Sequence, residues 1–302
     1  MSEPVATQPV EGKSSLEAAK EDLKVAWIEE SWPEPEDGPA ELFHYCGVDG
    51  FHGIVTKRTL WMSNVFTLND ASEMLHARAI VDEVLRSQNS RPAWLPKGMI
   101  SESEFLDLAW SWGMYVSCFC AEGDLLSQWR GYGAQGGGFA IGFDRLRLRD
   151  HCKNNKITNP LPMIYDKEEQ RRPVQNLTRR ACEIAAKHDL KANDFQDFYR
   201  AFTIRLITYT PQMKNPAFRE ESEWRLLKIR RPDETPKFRP ARGIIVPYLE
   251  LSNIPPDVFK SVTLGPAVEP EFRLRPTRLF LESHDMTHVE VRQSEIPLRV
   301  VA

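Results

Sequence analysis

Five glycines fall among the eight residues from Gly131 to Gly138, with Trp129, Arg130 and Tyr132 in or beside them and an apolar run, Phe139 to Phe143, directly after. Glycine lets backbone approach a ligand closely or adopt φ > 0, and aromatics with one arginine suit a planar or anionic group. The same spacing serves a tight hairpin between strands. Three further clusters carry polar groups. His44-Tyr45 lies on the first apolar segment, where a histidine can donate to a ligand hydroxyl or be satisfied by core backbone. Leu60-Trp61-Met62-Ser63-Asn64 precedes Asn69, Asp70 and Glu73, which read as a helix N-terminus with capping acids; such an end also offers N–H groups to an anion. Tyr115-Val116-Ser117-Cys118-Phe119 is dense in polar and aromatic groups. Last, Glu223 opens an apolar strand with Arg225 two residues on, either a salt-bridged pair or a catalytic carboxylate with its neighbour.

Several chemistries are set aside by missing spacing. The chain has no GxSxG elbow, no GxxxxGK[ST] loop and no HExxH. Its glycine run does not stand between a strand and a helix, so the match to a dinucleotide fingerprint is weak. Seven histidines show no metal-ligand spacing, and the five cysteines (Cys46, Cys118, Cys120, Cys152, Cys182) include no CxxC pair, so no metal is expected. Cys118 and Cys120 alternate along a strand and read as buried, inert thiols in a reducing compartment. A net charge of −4 lacks the basic signature of a general nucleic-acid binder; Arg171-Arg172 and Arg179-Arg180 fit a local basic patch or a solvated helix face. No apolar run approaches the ~18 residues of a membrane span, and Met1-Ser2-Glu3-Pro4 lacks the regions of a signal peptide. A soluble, cytoplasmic protein with no membrane partner is expected.

The elements that must position these residues follow from periodicity. With 302 residues and 41% hydrophobic content the chain supports a sizeable core. Residues 1–39 read as an N-terminal extension: 1–13 disordered, Ser14 to Glu30 helical with Ser14 or Ser15 as cap, then a linker around Pro33 and Pro35. Residues 40–302 read as one domain. Strands are expected at Leu42 to Cys46, Thr59 to Ser63, Met114 to Cys120, Phe139 to Phe143, Leu161 to Tyr165, Glu223 to Ile229, Gly243 to Val246, Val262 to Leu264, Val289 to Val291 and Leu298 to Val301. Helices are expected at Val48 to Lys57, from Asn69 or Asp70 to Gln88, from Ser101 or Ser103 to Trp110, at Glu168 to His188 and Asp194 to Thr210, and at Pro270 to Leu281 with an interruption at Pro276. Met74, Ala77, Ile80, Val81, Val84 and Leu85 follow a 3.6-residue period. Short strands and helices outside strict β-α alternation give an α+β fold with a largely antiparallel sheet.

The clusters in this order resemble the bacterial DUF2971 family, a domain of unknown function. The carriers are Phe43-His44-Tyr45 with Gly50-Phe51-His52-Gly53-Ile54, Leu60-Trp61-Met62-Ser63, and Leu68-Asn69-Asp70-Ala71-Ser72-Glu73. Ser117-Cys118-Phe119-Cys120, Leu125-Leu126-Ser127-Gln128-Trp129 with Tyr132, and Gly138-Phe139-Ala140-Ile141-Gly142-Phe143 follow. Glu221-Ser222-Glu223-Trp224-Arg225 and Leu264-Gly265-Pro266 complete the set, over about Ala40 to Arg299. More distantly, the order His44, Tyr132, Glu223 is similar to that of ADP-ribosyltransferases. That likeness implies a split antiparallel sheet with flanking helices and a central cleft that takes NAD as substrate. It implies Glu223 stabilising charge on the nicotinamide ribose, His44 holding the other ribose, Tyr132 on nicotinamide with Trp129 as partner, and Arg130 or Arg58 on the pyrophosphate. Ser63 and Ser117 complete the implied binding set. The reaction would be ADP-ribosyl transfer to a protein, nucleic acid or small molecule, or NAD hydrolysis. Two other readings stand beside it: a nonenzymatic ligand-sensing or protein-interaction module, and a metal-dependent nuclease with Asp70, Glu73 and Glu223 around Mg²⁺.

Overall fold

The strands are β1 (Glu41–Cys46), β2 (Leu60–Asn64), β3 (Met114–Cys120), β4 (Phe139–Asp144), β5 (Leu161–Pro162), β6 (Glu223–Ile229), β7 (Lys237–Ala241), β8 (Ile244–Leu251), β9 (Phe259–Leu264) and β10 (Glu290–Gln293), most of them carrying apolar residues on a buried face. The helices are α1 (Ser15–Glu30), α2 (Val48–Lys57), α3 (Glu73–Arg86), α4 (Glu102–Trp112), α5 (Leu126–Gly131), α6 (Arg145–Asn154), α7 (Lys167–Lys187), α8 (Phe195–Tyr209) and α9 (Pro270–Glu282). The structure, a computed structural model, describes residues 14–297 apart from 32, 34, 36, 69–72, 89–91, 97–99, 135, 136, 242 and 267–269. The expected disorder of 1–13, the cap at Asn69 or Asp70 and the strand Leu298 to Val301 lie outside the described residues.

The architecture is α+β, as expected. The strands form one sheet in the order β10-β9-β4-β1-β3-β2-β8-β7, with β6 on β3 and β5 on β6. Its ladders are antiparallel except β9 with β10. β6 pairs with all seven residues of β3, from Met114↔Ile229 to Cys120↔Glu223. β1 and β2 must therefore share the other edge of β3. β2 takes Tyr115 and Val116, and β1 reaches only Cys120. Among the described residues no strand pairs with Ser117, Cys118 and Phe119 on that side, so the sheet is open between β1 and β2.

Both faces of the sheet are covered. One packs Leu42, Met62, Leu226, Leu249 and Leu251 against Phe51, Ile54 and Val55 of α2, Leu148 of α6 and Leu281 of α9. The other sets Val116 and Leu227 against Met74 of α3, Phe105 and Ala109 of α4, and Ile207 of α8. Behind these, α1, α3, α7 and α8 form a helical layer. All six periodic residues of α3 are buried. Ser14 caps α1 by accepting from the Glu17 N–H, and Ala19, Leu23 and Ala26 bury its inner face on that layer. Much of the basic sequence is paired: Arg171 with Glu83 and Glu168, Arg179 with Glu183, and Arg180 with Glu29 and Glu30.

Four expectations need correction. The glycine-rich stretch is not a hairpin, because β3 and β4 do not pair; both flank β1. The chain leaves β3, forms the short helix α5 and turns through Gly133 and Gly138. There the Gly138 N–H donates to the Gly133 carbonyl at 2.8 Å, and a Cβ on Gly138 would collide with the Cys46 carbonyl oxygen. α6 was not foreseen, since few of its residues are apolar; Asp144 starts it by accepting from the N–H groups of Leu146 and Arg147. β7 was missed because it is a largely exposed edge strand holding Pro240, with no apolar alternation. α9 runs unbroken past Pro276. That proline deprives the Phe272 carbonyl of a helical donor, but Phe272 is exposed and water can replace it.

Trp129 on α5 is 0% exposed. Its ring meets Tyr45 edge-on at 4.7 Å, and its indole N–H donates to Asp124 at 2.7 Å. A buried tryptophan of this kind stabilises the fold and cannot stack on a ligand. Trp129→Ala is therefore expected to lower unfolding free energy by about 3–5 kcal/mol in urea titration; a change below about 1 kcal/mol would contradict the packing role.

Candidate functional site

The opening in the sheet widens into a cavity of about 950 Å³, a size suited to a substantial organic ligand. His44 from β1, Ser63 from β2, Ser117 and Cys118 from β3, Tyr132 at the end of α5, and Glu223 and Arg225 from β6 all line it. Pairing parity shows how. Phe43 is opposite Cys120, and Cys120 is opposite Glu223, so those three side chains share a face. Strand alternation puts Cys118 and Arg225 on that face as well, and Ser63 joins them through its pairing with Val116. His44 points to the other face. His44 and Glu223 reach one cavity only because the sheet is open between them.

His44 also repairs the gap. Its Nδ1 lies 2.9 Å from the Cys118 carbonyl, within the part of β3 that has no neighbouring strand. A carbonyl only accepts, so Nδ1 carries the proton and Nε2 carries the lone pair of the neutral ring. Burial lowers the His44 pKa, the carbonyl pulls against it, and the charge of Arg239 lowers it further. The neutral imidazole is thus favoured.

Glu223 is the centre of a buried charge network. It accepts from Arg225 Nε at 2.6 Å and from Lys214 Nζ at 2.5 Å. Arg225 Nη2 also donates to Glu73 at 2.7 Å, and Lys214 to Glu221 at 2.5 Å. The Cys118 side chain lies on the same face of the sheet and lines the same cavity. Burial pushes the Glu223 carboxyl up, but the charges of Arg225 and Lys214 and their hydrogen bonds outweigh it and hold the pKa at about 2. Glu73 goes the other way: burial raises it against the pull of Arg225. Burial and the Glu223 charge raise the Cys118 thiol well above its usual range, so it stays protonated.

Ser63, Ser117, His44, Tyr132 and Glu223 thus meet at one cavity, while Trp129, Arg130 and Arg58 do not line it. Trp129 is core; Arg130 and Arg58 are exposed outside it. Arg58 stands in the left-handed turn that ends α2, with φ 47°. Sequence reasoning overlooked Arg239 and Lys214, which do line it. Arg239 sits on the unforeseen strand β7, and Lys214 in a polar connection before β6 that also holds Arg219, Glu220 and Glu221. Among the described residues no group of three His, Cys, Asp or Glu side chains is placed to hold a metal. Glu73 and Glu223 instead share the Arg225 guanidinium, and Asp70 lies outside the described residues.

Removing one member of such a network leaves its partners buried and uncompensated. Arg225→Met is expected to cost about 3–5 kcal/mol by chemical denaturation; a loss under about 1 kcal/mol would show the network to be dispensable. The linkage has a definite sign. Glu223 titrates lower when folded, near 2 against its usual 4.5, so its contribution is full above about pH 4.5 and is lost as pH falls towards 2. Unfolding measured across that window is expected to show a shallower acid slope in Glu223→Gln than in the parent; equal slopes would refute the assignment.

Among the described residues no helix is long and apolar enough to cross a membrane. No curated protein and no solved structure matches the chain. Residues 128–226, which run from α5 through β4 and the helices α6 to α8 into β6 and hold both Tyr132 and Glu223, match the family model DUF2971, a protein of unknown function.

Proposed function

We propose that this protein consumes NAD, as an ADP-ribosyltransferase or an NAD glycohydrolase. The observation that supports the reading is that His44, Tyr132 and Glu223, widely separated in the chain, line one cavity at a split in an antiparallel sheet. In the reaction the bond between ribose C1′ and the nicotinamide nitrogen breaks and its electron pair leaves with nicotinamide. Positive charge then develops on the ribose until water or an acceptor nucleophile adds and gives up a proton. Glu223, ionised at neutral pH, supplies negative charge beside that ribose. Arg225 and Lys214 already donate to its oxygens. Tyr132, 39% exposed, offers its ring to nicotinamide, and His44, across the opening, takes the second ribose. Among the described residues the Ser117 hydroxyl, buried at the cavity wall, has no hydrogen-bond partner, which suits a group that a polar ligand would satisfy.

A second reading is a nonenzymatic ligand-binding module. It is favoured by the number of cations on Glu223, which makes that carboxylate a structural anchor. Nicotinamide release separates the two. Purified protein incubated with NAD is expected to release nicotinamide, measured by chromatography. Tyr132→Ala is expected to weaken NAD binding, and Glu223→Gln to lower turnover about 10²–10³-fold at a temperature where circular dichroism shows the variant folded. Folded parent protein that releases no nicotinamide from NAD or an NAD-acceptor mixture would eliminate the enzyme and leave the binding module.

A further inference from the structure

The cavity holds an arginine that neither the glycine-rich run nor α2 supplies. Arg239 comes from β7, opposite Val246 of β8. The ladder continues through Tyr248 to Ser63 of β2, so Arg239 and Ser63 project from the same face, the face that also carries Glu223. The guanidinium lies over the Trp61 ring at 5.5 Å, and its Nη2 donates to Ser63 Oγ at 3.1 Å. Trp61 in turn packs on Tyr248, with ring centroids 4.7 Å apart. An arginine stacked on an indole and steered by a hydroxyl has little orientational freedom left, which lowers the cost of holding a ligand. Like His44, it lines the cavity.

From this geometry we infer that Arg239, set by Trp61 and Ser63, is the subsite for the pyrophosphate of a dinucleotide lying through the open sheet. The inference rests on the proposed nucleotide reading and names the part of the ligand that the two riboses flank. A planar guanidinium presents two parallel N–H donors to phosphate oxygens. It thereby takes the role that the sequence suggested for Arg58 or Arg130, neither of which lines the cavity. The cavity thus carries a cation, Arg239, and the Glu223 carboxylate on one face of the sheet.

The test is calorimetric titration of ADP-ribose and, separately, adenosine into the full chain and into Arg239→Gln and Arg239→Lys. ADP-ribose is expected to bind the parent, to bind Arg239→Gln about tenfold or more weakly, and to fall between these for Arg239→Lys, which keeps the charge without the fork. Adenosine is expected to bind all three alike. β7 is an exposed edge strand, so melting temperatures are expected to stay close; were Arg239→Gln to misfold, the Lys variant carries the comparison. Equal ADP-ribose affinity across the folded variants, or no ADP-ribose binding to the parent, would overturn the subsite. Arg239-dependent ADP-ribose binding without nicotinamide release from NAD would uphold the subsite while removing the enzyme.

Discussion

Among the described residues, Ser117 to Phe119 of β3 have a strand on one side only, and the cavity is arranged around that fact. Buried backbone polar groups need partners. β6 supplies them along the whole of one edge, whereas β1 and β2 diverge and supply them only at the ends of the other. His44 fills part of the deficit by donating to the Cys118 carbonyl. The histidine therefore does two things at once: it closes a main-chain vacancy, and in doing so it fixes its own tautomer with Nε2 as an acceptor. A residue that would otherwise be a core histidine on the far face becomes part of a cavity wall because the sheet beside it is missing.

The charge network on the opposite face is the second constraint. Two cations and three carboxylates from α3, β6 and the connection before it meet with hydrogen bonds of 2.5–2.7 Å. Buried pairs of this kind contribute little net stability over an apolar core, but they are intolerant of losing one member. Their effect is geometric. The helical layer, through Glu73, and the sheet, through Arg225, are held in one register, and Glu223 is left ionised with little freedom to move. A carboxylate that must act on developing positive charge gains from being fixed and deprotonated; the cations that achieve this also dilute its field. The two proposed readings of the protein differ in which consequence matters.

The glycine-rich run illustrates how local and tertiary demands divide. Its composition signals close backbone approach, and that occurs, but towards the protein itself: Gly138 fits against the end of β1, and Arg273 of α9 donates to the carbonyls of Gly137, Gly138 and Gly265. The aromatics within it part company over a single helical turn. Trp129 turns into the core on Tyr45, and Tyr132 ends the helix at the cavity. Residue type could not separate them, because both rings suit stacking and both suit burial.

Most of the secondary structure was determined by the sequence alone. Apolar periods of two and 3.6 place β1, β3, β6, α2 and α3 to within a few residues, because those elements bury one face against a core and the pattern records it. The α+β class was legible too; His44, Tyr132 and Glu223, singled out by the likeness to ADP-ribosyltransferases, line one cavity. Elements without a buried stripe, α6 and β7, were not, and Arg239 was lost with β7. Only the tertiary structure decided that β3 and β4 both flank β1, that the sheet opens at Ser117 to Phe119, and that Lys214 and Glu73 close on Glu223 and Arg225. Those outcomes depend on which strands pair and on charges brought together from 152 positions apart, as with Glu73 and Arg225. Pairing partners and long-range ion contacts leave no periodic trace in a single chain, since the energy that selects them is released only when the whole sheet and its helices assemble.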